Sequence, residues 1–238
     1  MALGTQALYN NTTGYNNCAF GFKAMFSNNQ GYDNIAIGYK AFYSNTGGVH
    51  NVAAGTESLY KNTTGDKNTS VGYQSMYNNT TGCSNTVIGD VAGFNITIGP
   101  SNVAVGVQAL YSNTTGGSNV SIGNFTLYNN NGSSNTAVGN GAFAYLAGST
   151  SWANSTAIGF GAGIDASNKV RIGSSSVTSA NVQVNWTIGS DARIKKNISE
   201  DVQGLEFIKL LRPVSYNYDV DNQNRLTGAF DNSEWEGK

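Results

Sequence analysis

The sequence predicts an all-β fold, a repetitive β-roll or solenoid built from 17-residue coils. Three observations carry this prediction: a glycine recurs every 17 residues, an asparagine stands four residues before it, and short β-branched segments alternate with Ala or Ser. A fixed period of this length indicates one supersecondary unit per repeat, which buries its apolar side only by stacking on its neighbours. We expect this repeat shaft to extend over residues 1–165.

Glycine and asparagine columns define the frame of the repeat. The glycines are Gly4, Gly21, Gly38, Gly55, Gly72, Gly89, Gly106 and Gly123, followed with broken spacing by Gly139 and Gly159. The asparagines are Asn17, Asn34, Asn51, Asn68, Asn85, Asn102, Asn119 and Asn135, and the last repeat is interpreted as carrying one extra residue after Asn154. Because in-register stacking aligns side-chain amides, a structural ladder is expected at Asn34, Asn51, Asn68, Asn85, Asn102 and Asn119.

Each repeat is predicted to contain two short strands and a turn. The segment Ile35-Ala36-Ile37 places β-branched residues on one face and Ala on the other, an alternation typical of a strand. A second strand is predicted at the Ala-Leu-Tyr segments, such as Ala109-Leu110-Tyr111. Turns of the type Asn-Thr-Thr-Gly follow, as at 62–65, since Asn and Gly suit positive φ.

The stacked coils are expected to form a rod with one apolar stripe. At a spacing of about 4.8 Å, ten coils give a length on the order of 45 Å. The Ala and Ser face is predicted to line a narrow lumen, which leaves the larger Val, Ile, Leu and Phe face for a partner. The simplest partner is the same chain in a homotrimer around a three-fold axis. The opposite assignment of the two faces stays open.

The composition is that of a polar structural protein. The chain contains 30 Gly and only 2 Pro, 11% charged residues and a formal net charge of −1. The few, mixed charges argue against a nucleic-acid partner, and no apolar run approaches the ~20 residues that span a bilayer. The start, Met1-Ala2-Leu3-Gly4, enters directly into a repeat and is interpreted as a fragment start.

Residues for metal or redox chemistry are scarce. His50 is the single histidine and is expected to be a solvated turn residue, so no metal, cofactor or His-based triad is predicted. Cys18 and Cys83 fall about four coils apart, roughly 19 Å at the stacking distance, which is beyond disulfide reach. They are expected to be free thiols, consistent with assembly in a reducing cytoplasm.

The sequence leaves the 17-residue frame in its last third. A β linker region is predicted over 166–189, with strands at 169–173 and 182–188. The chain then becomes richer in charge, and Ser199 is a predicted helix N-cap followed by helically spaced apolar residues. A second domain with one helix is therefore predicted over 190–238.

The boundary at residue 190 carries the most specific motif of the chain. The segment reads Gly189-Ser190-Asp191-Ala192-Arg193-Ile194-Lys195-Lys196-Asn197-Ile198, with a Ser-Asp-x-Arg-x-Lys core. Further on, residues 204–216 read Gly-Leu-Glu-Phe-Ile-Lys-Leu-Leu-Arg-Pro-Val-Ser-Tyr. Together these segments resemble the opening of the intramolecular chaperone domain of phage tail fibres and tailspikes, the self-cleaving peptidase S74 family. The repeats resemble tail-fibre shafts and, distantly, the heads of trimeric autotransporter adhesins.

The resemblance implies a domain that trimerises, assists folding of the shaft and then cleaves itself before the serine. The implied scissile bond is Gly189-Ser190, with Ser190 as the nucleophile and Lys195 as the base that activates it. An alcohol needs such a base at neutral pH, and a lysine serves when desolvation lowers its pKa. Asp191 and Arg193 are interpreted as orienting or ion-pairing groups. The chain ends before a further segment expected in the family, so the domain is predicted to be incomplete.

Several repeated patterns allow a second interpretation. Asn-x-Thr/Ser triplets fit glycosylation acceptors, although turn chemistry is the favoured interpretation. The triplets begin at Asn11, Asn62, Asn79, Asn95, Asn113 and Asn124. An aromatic column could stack sugars, although self-packing along the rod is the favoured interpretation. Its members are Tyr9, Phe26, Tyr43, Tyr60, Tyr77, Phe94, Tyr111 and Tyr128. Thr-rich turns would suit ice binding. The segments 28–31 and 95–99 weaken this interpretation, because they break the Thr column.

Taken together, these patterns indicate a structural fibre segment of a viral or phage tail fibre that takes part in attachment to a host-surface glycan or receptor. The expected location is the virion, after assembly in the host cytoplasm, and membrane insertion is not expected. The alternatives are a cell-surface trimeric adhesin and, less favoured, a polysaccharide depolymerase. Scattered acids disfavour the carboxylate pair of glycoside cleavage, since Asp33, Glu57, Asp66 and Asp90 hold different frame positions. Enzymatic activity is expected to be at most Ser-Lys self-cleavage, without an external substrate.

Overall fold

The computed structural model describes residues 1–143 and 151–179. The chain divides into two compact units, Met1–Asn181 and Val182–Lys238, and all described residues belong to the first. The strand predicted to end the linker region and the helix predicted in the second domain lie outside the described residues.

The first unit is a parallel β-solenoid, which confirms the predicted fold class. Its strands pair in chain order within one sheet, and each runs parallel to the strand before it. The strands are β1 Ala2–Leu3, β2 Cys18–Phe20, β3 Ile35–Ile37, β4 Val52–Ala54, β5 Thr69–Val71, β6 Thr86–Ile88, β7 Val103–Val105, β8 Val120–Ile122, β9 Thr136–Val138, β10 Thr156–Ile158 and β11 Val170–Ile172.

A three-residue register repeats from strand to strand. Ile35 of β3 pairs with Val52 of β4, and the central Ala36 pairs with Ala53. Equivalent residues of neighbouring coils are 17 positions apart along most of the solenoid, 16 between β8 and β9, 20 between β9 and β10, and 14 between β10 and β11. The strands stay aligned because the extra and missing residues fall in the turns. β11, which comes from the predicted linker region, pairs with β10 in the same sheet.

The prediction of a second strand in each coil is wrong for the described coils. The Ala-Leu-Tyr segments form turns, because alternate residues adopt the left-handed backbone conformation, as in Glu57 (φ 55°) and Leu59 (φ 51°). A strand needs extended φ at every residue, so this alternation curls the chain. The turns still bond from coil to coil, since the Leu59 amide donates to the Ser75 carbonyl at 3.0 Å and the Lys61 amide to the Tyr77 carbonyl at 3.1 Å.

Small and large side chains together fill the lumen of the solenoid. The central Ala36 of β3 is fully buried, whereas Ile35 and Ile37 on either side of it are exposed. The Ala and Ser face therefore lies inside, as expected. The turns add larger buried side chains that the sequence analysis had not assigned to the lumen: Met25, Phe42, Leu59, Met76, Leu110 and Leu127. Most coils thus contribute two small residues and one large residue to the core, as with Ala36, Ala41 and Phe42.

Space as well as backbone conformation requires glycine at the frame position. Gly72 has a φ of +133°, and a Cβ on it would lie 2.3 Å from the carbonyl oxygen of Gly89 in the next coil. Side chains rarely adopt such a φ, and no Cβ fits at that distance. The glycine column therefore allows adjacent coils to approach each other to the stacking distance of a parallel sheet.

Candidate functional site

The predicted cleavage site lies outside the described residues. This applies to Gly189 and Ser190, to the predicted base Lys195 and to the supporting Asp191 and Arg193. Their roles stay predictions. Of the predicted site residues, the described structure contains the asparagine ladder, and the solenoid carries the other patterns singled out in the sequence.

The predicted ladder asparagines lie in one fully buried column beside the strands. The backbone amide of Asn51 donates to Oδ1 of Asn34 at 2.9 Å, and Nδ2 of Asn51 donates to the same oxygen at 3.2 Å. Nδ2 of Asn51 also donates to the Gly65 carbonyl at 2.9 Å. The same contacts recur at Asn68, Asn85, Asn102 and Asn119. Each side chain thus ties its own coil to both neighbours, which satisfies polar groups that burial would otherwise penalise.

The interpretation of an extra residue after Asn154 is wrong. The backbone amide of Ser155 donates to Oδ1 of Asn135 at 3.0 Å, so Ser155 occupies the ladder position of its coil. Asn154 is exposed and bonds through Nδ2 to Oδ1 of Asn168 at 2.8 Å. Because Ser155 stands four residues before Gly159, the spacing between ladder and glycine is unchanged in this coil. The added length of this coil precedes Ser155.

A second asparagine column runs through the Asn-Thr-Thr-Gly turns, and the sequence analysis interpreted it only as turn chemistry. Nδ2 of Asn45 donates to Oδ1 of Asn28 at 2.6 Å and to the carbonyl of Gly48 at 3.0 Å. The same glycine carbonyl accepts from Asn34 of the first ladder at 2.9 Å. The two columns therefore meet at one glycine carbonyl in four coils, those of Gly31, Gly48, Gly65 and Gly82. The 17-residue spacing of these asparagines was the signal that would have identified them.

The second column is interrupted at one coil. Ile96 takes the asparagine position there and is fully buried, and Oδ1 of Asn79 has no hydrogen-bond partner. The lumen position of the same coil holds Gly93, where neighbouring coils hold Met76 and Leu110. A Cβ on Gly93 would lie 2.8 Å from Cδ1 of Ile96. The isoleucine thus fills the space that the missing leucine or methionine leaves.

The second asparagine column buries three of the six asparagines that begin glycosylation triplets. Asn62, Asn79 and Asn113 are fully buried in the second column, and a buried amide is not open to modification. Asn11 and Asn95 are half-buried, and Asn124 is exposed. Turn chemistry therefore accounts for the buried triplets, as the sequence analysis favoured.

The aromatic column packs against itself along the rod, as predicted. Neighbouring rings stack nearly parallel from Tyr9 to Tyr128, as for Tyr43 and Tyr60 with centroids 5.1 Å apart and for Tyr60 and Tyr77 at 5.0 Å. Because each interior ring has another ring on both faces, its faces are not free to stack on a sugar. Partial burial within this stack raises the pKa of the Tyr77 phenol.

Threonine hydroxyls are used within the solenoid. Oγ1 of Thr63 donates to the Thr80 carbonyl, Thr80 to the Thr97 carbonyl and Thr97 to the Thr114 carbonyl, each at 3.0 or 3.1 Å. Within 95–99, Thr97 keeps this column, whereas Ile98 interrupts the neighbouring column of Thr64, Thr81 and Thr115.

Charged groups in the described residues form small, local pairs. His50 is exposed, with Nε2 3.6 Å from Oδ2 of Asp33, and the described residues contain no group of three or more His, Cys, Asp or Glu that could hold a metal. Nζ of Lys169 lies 2.7 Å from Oδ1 of Asp165, and this hydrogen bond lowers the pKa of the Asp165 carboxyl. A hydrogen bond from Lys40 to Tyr39 raises the pKa of the Lys40 ammonium.

The acids weighed for glycoside cleavage have separate surroundings. Glu57 accepts from Nε2 of Gln74 at 2.8 Å, and Asp66 accepts from the Val49 amide at 2.7 Å. Each of these contacts joins a coil to its neighbour.

Arg171 changes the lumen at the last described strand. It takes the central strand position, opposite Ala157 of β10. Its guanidinium donates to the carbonyls of Gly163 at 3.1 Å and Gly173 at 3.3 Å. A charged side chain at this position ends the column of small buried residues. Val170 and Ile172 beside it are exposed.

Cys18 and Cys83 are free and half-buried, as predicted. Cys18 is the first residue of β2, whereas Cys83 lies in the turn that follows Gly82. Among the described residues, none belongs to a helix with the length and apolar character needed to cross a membrane.

Comparison with known proteins identifies one segment of the chain. Residues 190–235 match the family model Peptidase S74, described as chaperone of endosialidase. This match includes Ser190 and Lys195 and confirms the resemblance drawn from the motif. Neither the curated proteins nor the solved structures give a significant match. The chain therefore joins a β-solenoid to a segment similar to the Peptidase S74 chaperone of endosialidase.

Proposed function

We propose that the chain is a structural segment of a viral or phage tail fibre, in which the solenoid forms a shaft and the following segment acts as an intramolecular chaperone. The observation that carries this proposal is the Peptidase S74 match at 190–235 directly after a β-solenoid. Chaperones of this family act in trimeric fibres, so the functional unit is a homotrimer located in the virion. Attachment to a host-surface glycan or receptor is the role of such a fibre.

The chaperone addresses a folding problem that the solenoid itself creates. Neighbouring coils carry nearly the same residues, so a coil displaced by one repeat makes almost the same contacts. Registers that differ by one coil are therefore close in energy, as in other strands with weakly specified pairing. A trimeric domain at one end fixes the relative position of three chains before the shafts associate.

Self-cleavage is the chemical part of the proposal. Oγ of Ser190 attacks the carbonyl carbon of Gly189 while Lys195 takes the hydroxyl proton and passes it to the leaving amide nitrogen. An ester C–O bond forms as the peptide C–N bond breaks. Water then hydrolyses the ester, leaving a carboxylate on Gly189 and a free amino group and hydroxyl on Ser190. Asp191 and Arg193 orient these groups.

Denaturing mass spectrometry of the full chain tests the proposal. The parent should yield a fragment that starts at Ser190, and Ser190→Ala should remain intact. Lys195→Ala should also block or greatly slow cleavage. Ser176→Ala, at an exposed serine upstream, is the matched control and should cleave like the parent. An intact parent, or cleavage that persists in Ser190→Ala, contradicts the proposed chemistry. Native mass spectrometry of the same samples measures whether the assembly is a trimer.

A further inference from the structure

The outward side of the sheet is a mainly apolar, uncharged surface, with a threonine at the first position of four strands. We define the outer sheet face as the first and third residues of each described strand from β2 onward. These residues are Cys18, Phe20, Ile35, Ile37, Val52, Ala54, Thr69, Val71, Thr86, Ile88, Val103, Val105, Val120, Ile122, Thr136, Val138, Thr156, Ile158, Val170 and Ile172. Ile37 is 47% exposed and Phe20 is 51% exposed. Nothing in the described unit covers this face.

In five coils an apolar residue just after the frame glycine widens the same face, whereas other coils hold a polar residue there, such as Thr56 or Asp90. Phe22, Tyr39, Tyr73, Val107 and Phe160 stand two residues after the third residue of their strands, and all are exposed. The rings of Phe22 and Tyr39 stack on each other at 5.5 Å. Aromatic residues of this kind are enriched at protein interfaces.

No residue of the outer sheet face carries a charge. Most charged residues of the described coils lie in the turns, as with Asp33, Lys61 and Lys67, whereas Asp90 borders the face and Arg171 takes the central position of β11. Depletion of charged residues at the centre of a surface patch is typical of protein–protein interfaces. Parallel sheets are, moreover, generally covered on both faces, and here the lumen covers only one.

The regular spacing of the face decides which partner fits it. The same pattern returns at every coil, so a partner that contacts the whole length must repeat its own side chains at the same spacing of about 4.8 Å. Another copy of this chain does so. Eleven strands of about three residues give a footprint on the order of 500 Å² per copy, so the exposed side chains beside the strands must add to it to reach the roughly 800 Å² per partner of a standard interface.

We propose that copies of this chain pack against one another through the outer sheet face, around a three-fold axis and with their strands running in the same direction. This inference rests on the trimer of the proposed function and names the surface that forms it. The aromatic column and the Thr turns then remain on the outside of the fibre.

Charge substitutions on two faces test the proposal. Ile37→Lys/Ile88→Lys places two charges on the outer sheet face, where both side chains are exposed in the single chain. The expected result is loss of the trimer in native mass spectrometry of the full chain. Thr64→Lys/Thr115→Lys is the matched control, with two lysines at exposed turn positions, and should remain trimeric. Circular dichroism of each variant reports whether the β structure is kept.

The two native cysteines give a second test that needs no charge on the face. Cys18 lies on the outer sheet face and Cys83 in a turn. A short bismaleimide should therefore cross-link copies of Cys83→Ser, which retains Cys18, into dimers on a denaturing gel. Cys18→Ser, which retains Cys83, should stay monomeric on the same gel.

The outcomes separate this inference from the function on which it rests. A parent chain that is monomeric in native mass spectrometry overturns the trimer itself. A trimeric parent whose Cys18 does not cross-link, and whose lysine variant stays trimeric, shows that the trimer forms through another surface. If the lysine variant loses its β structure, the cross-linking result alone decides whether the trimer forms through the outer sheet face.

Discussion

Substituting two residues of one coil, separately and together, tests how the lumen is packed. In the coil that begins at β6, Gly93 and Ile96 replace the large lumen residue and the column asparagine of the neighbouring coils. The structure indicates that these two departures compensate each other, because Ile96 occupies the space above Gly93. We therefore predict that Gly93→Leu and Ile96→Asn each destabilise the solenoid, and that the double variant does not.

The expected magnitudes follow from burial and contacts. Ile96→Asn removes a fully buried side chain, a loss of about 2–5 kcal/mol, and regains about 1–3 kcal/mol by giving Oδ1 of Asn79 a partner. Gly93→Leu forces a side chain against Ile96, which costs about 1–3 kcal/mol. The backbone accepts leucine there, since Met76 and Leu110 adopt positive φ (50° and 57°) as Gly93 does (54°). A coupling free energy of about 2–3 kcal/mol is expected.

Urea-induced unfolding of the four proteins, followed by circular dichroism at one protein concentration, measures this coupling. The double variant should unfold at a urea concentration close to that of the parent or above it. The two single variants should both unfold earlier. Free energies that add within about 0.5 kcal/mol would refute the reasoning, because independent sites behave in that way.

Three further predictions follow from single positions. In the same urea experiment, Asn68→Ala should lower the free energy of unfolding by about 2–4 kcal/mol, since it removes contacts of a fully buried ladder residue. Asn78→Ala, at a half-buried asparagine, should lower it by less than about 1 kcal/mol. Gly72→Ala should prevent normal stacking. Gly47→Ala, whose Cβ would meet only Cγ2 of Thr64 at an ordinary contact distance of 3.9 Å, should change the thermal midpoint by only a few degrees; equal effects would contradict the role of the glycine column. The lowered pKa of Asp165 means that its contribution to stability is present above its unfolded pKa and is lost as the pH falls through its folded pKa. Because this carboxyl is exposed to solvent, Asp165→Asn should lower the thermal midpoint only slightly at neutral pH and not at all in acid. A large shift at neutral pH would show that solvent does not screen the attraction between Asp165 and Lys169.

The 17-residue period was sufficient to predict the solenoid, because each coil repeats the same short sequence. The alternation in Ile35-Ala36-Ile37 predicted both the strand and the buried alanine. The same period predicted the stack of rings from Tyr9 to Tyr128. Local pattern decides such features, since a stacked repeat places each residue on its equivalent in the next coil.

Other features depended on contacts that no local pattern reveals. The Ala-Leu-Tyr segments have the composition of strands, yet alternate left-handed residues such as Leu59 turn them toward the lumen.

The sequence by itself determined the repeat, its one β-branched strand, the glycine frame and the motif at Ser190, because each is a property of residue order. Only the tertiary structure decided which side chains share the lumen and how the second asparagine column closes the turns. It also showed that Ile96 compensates for Gly93. The physical reason is that these features arise between coils, where volume and hydrogen-bond partners are set by residues one repeat apart.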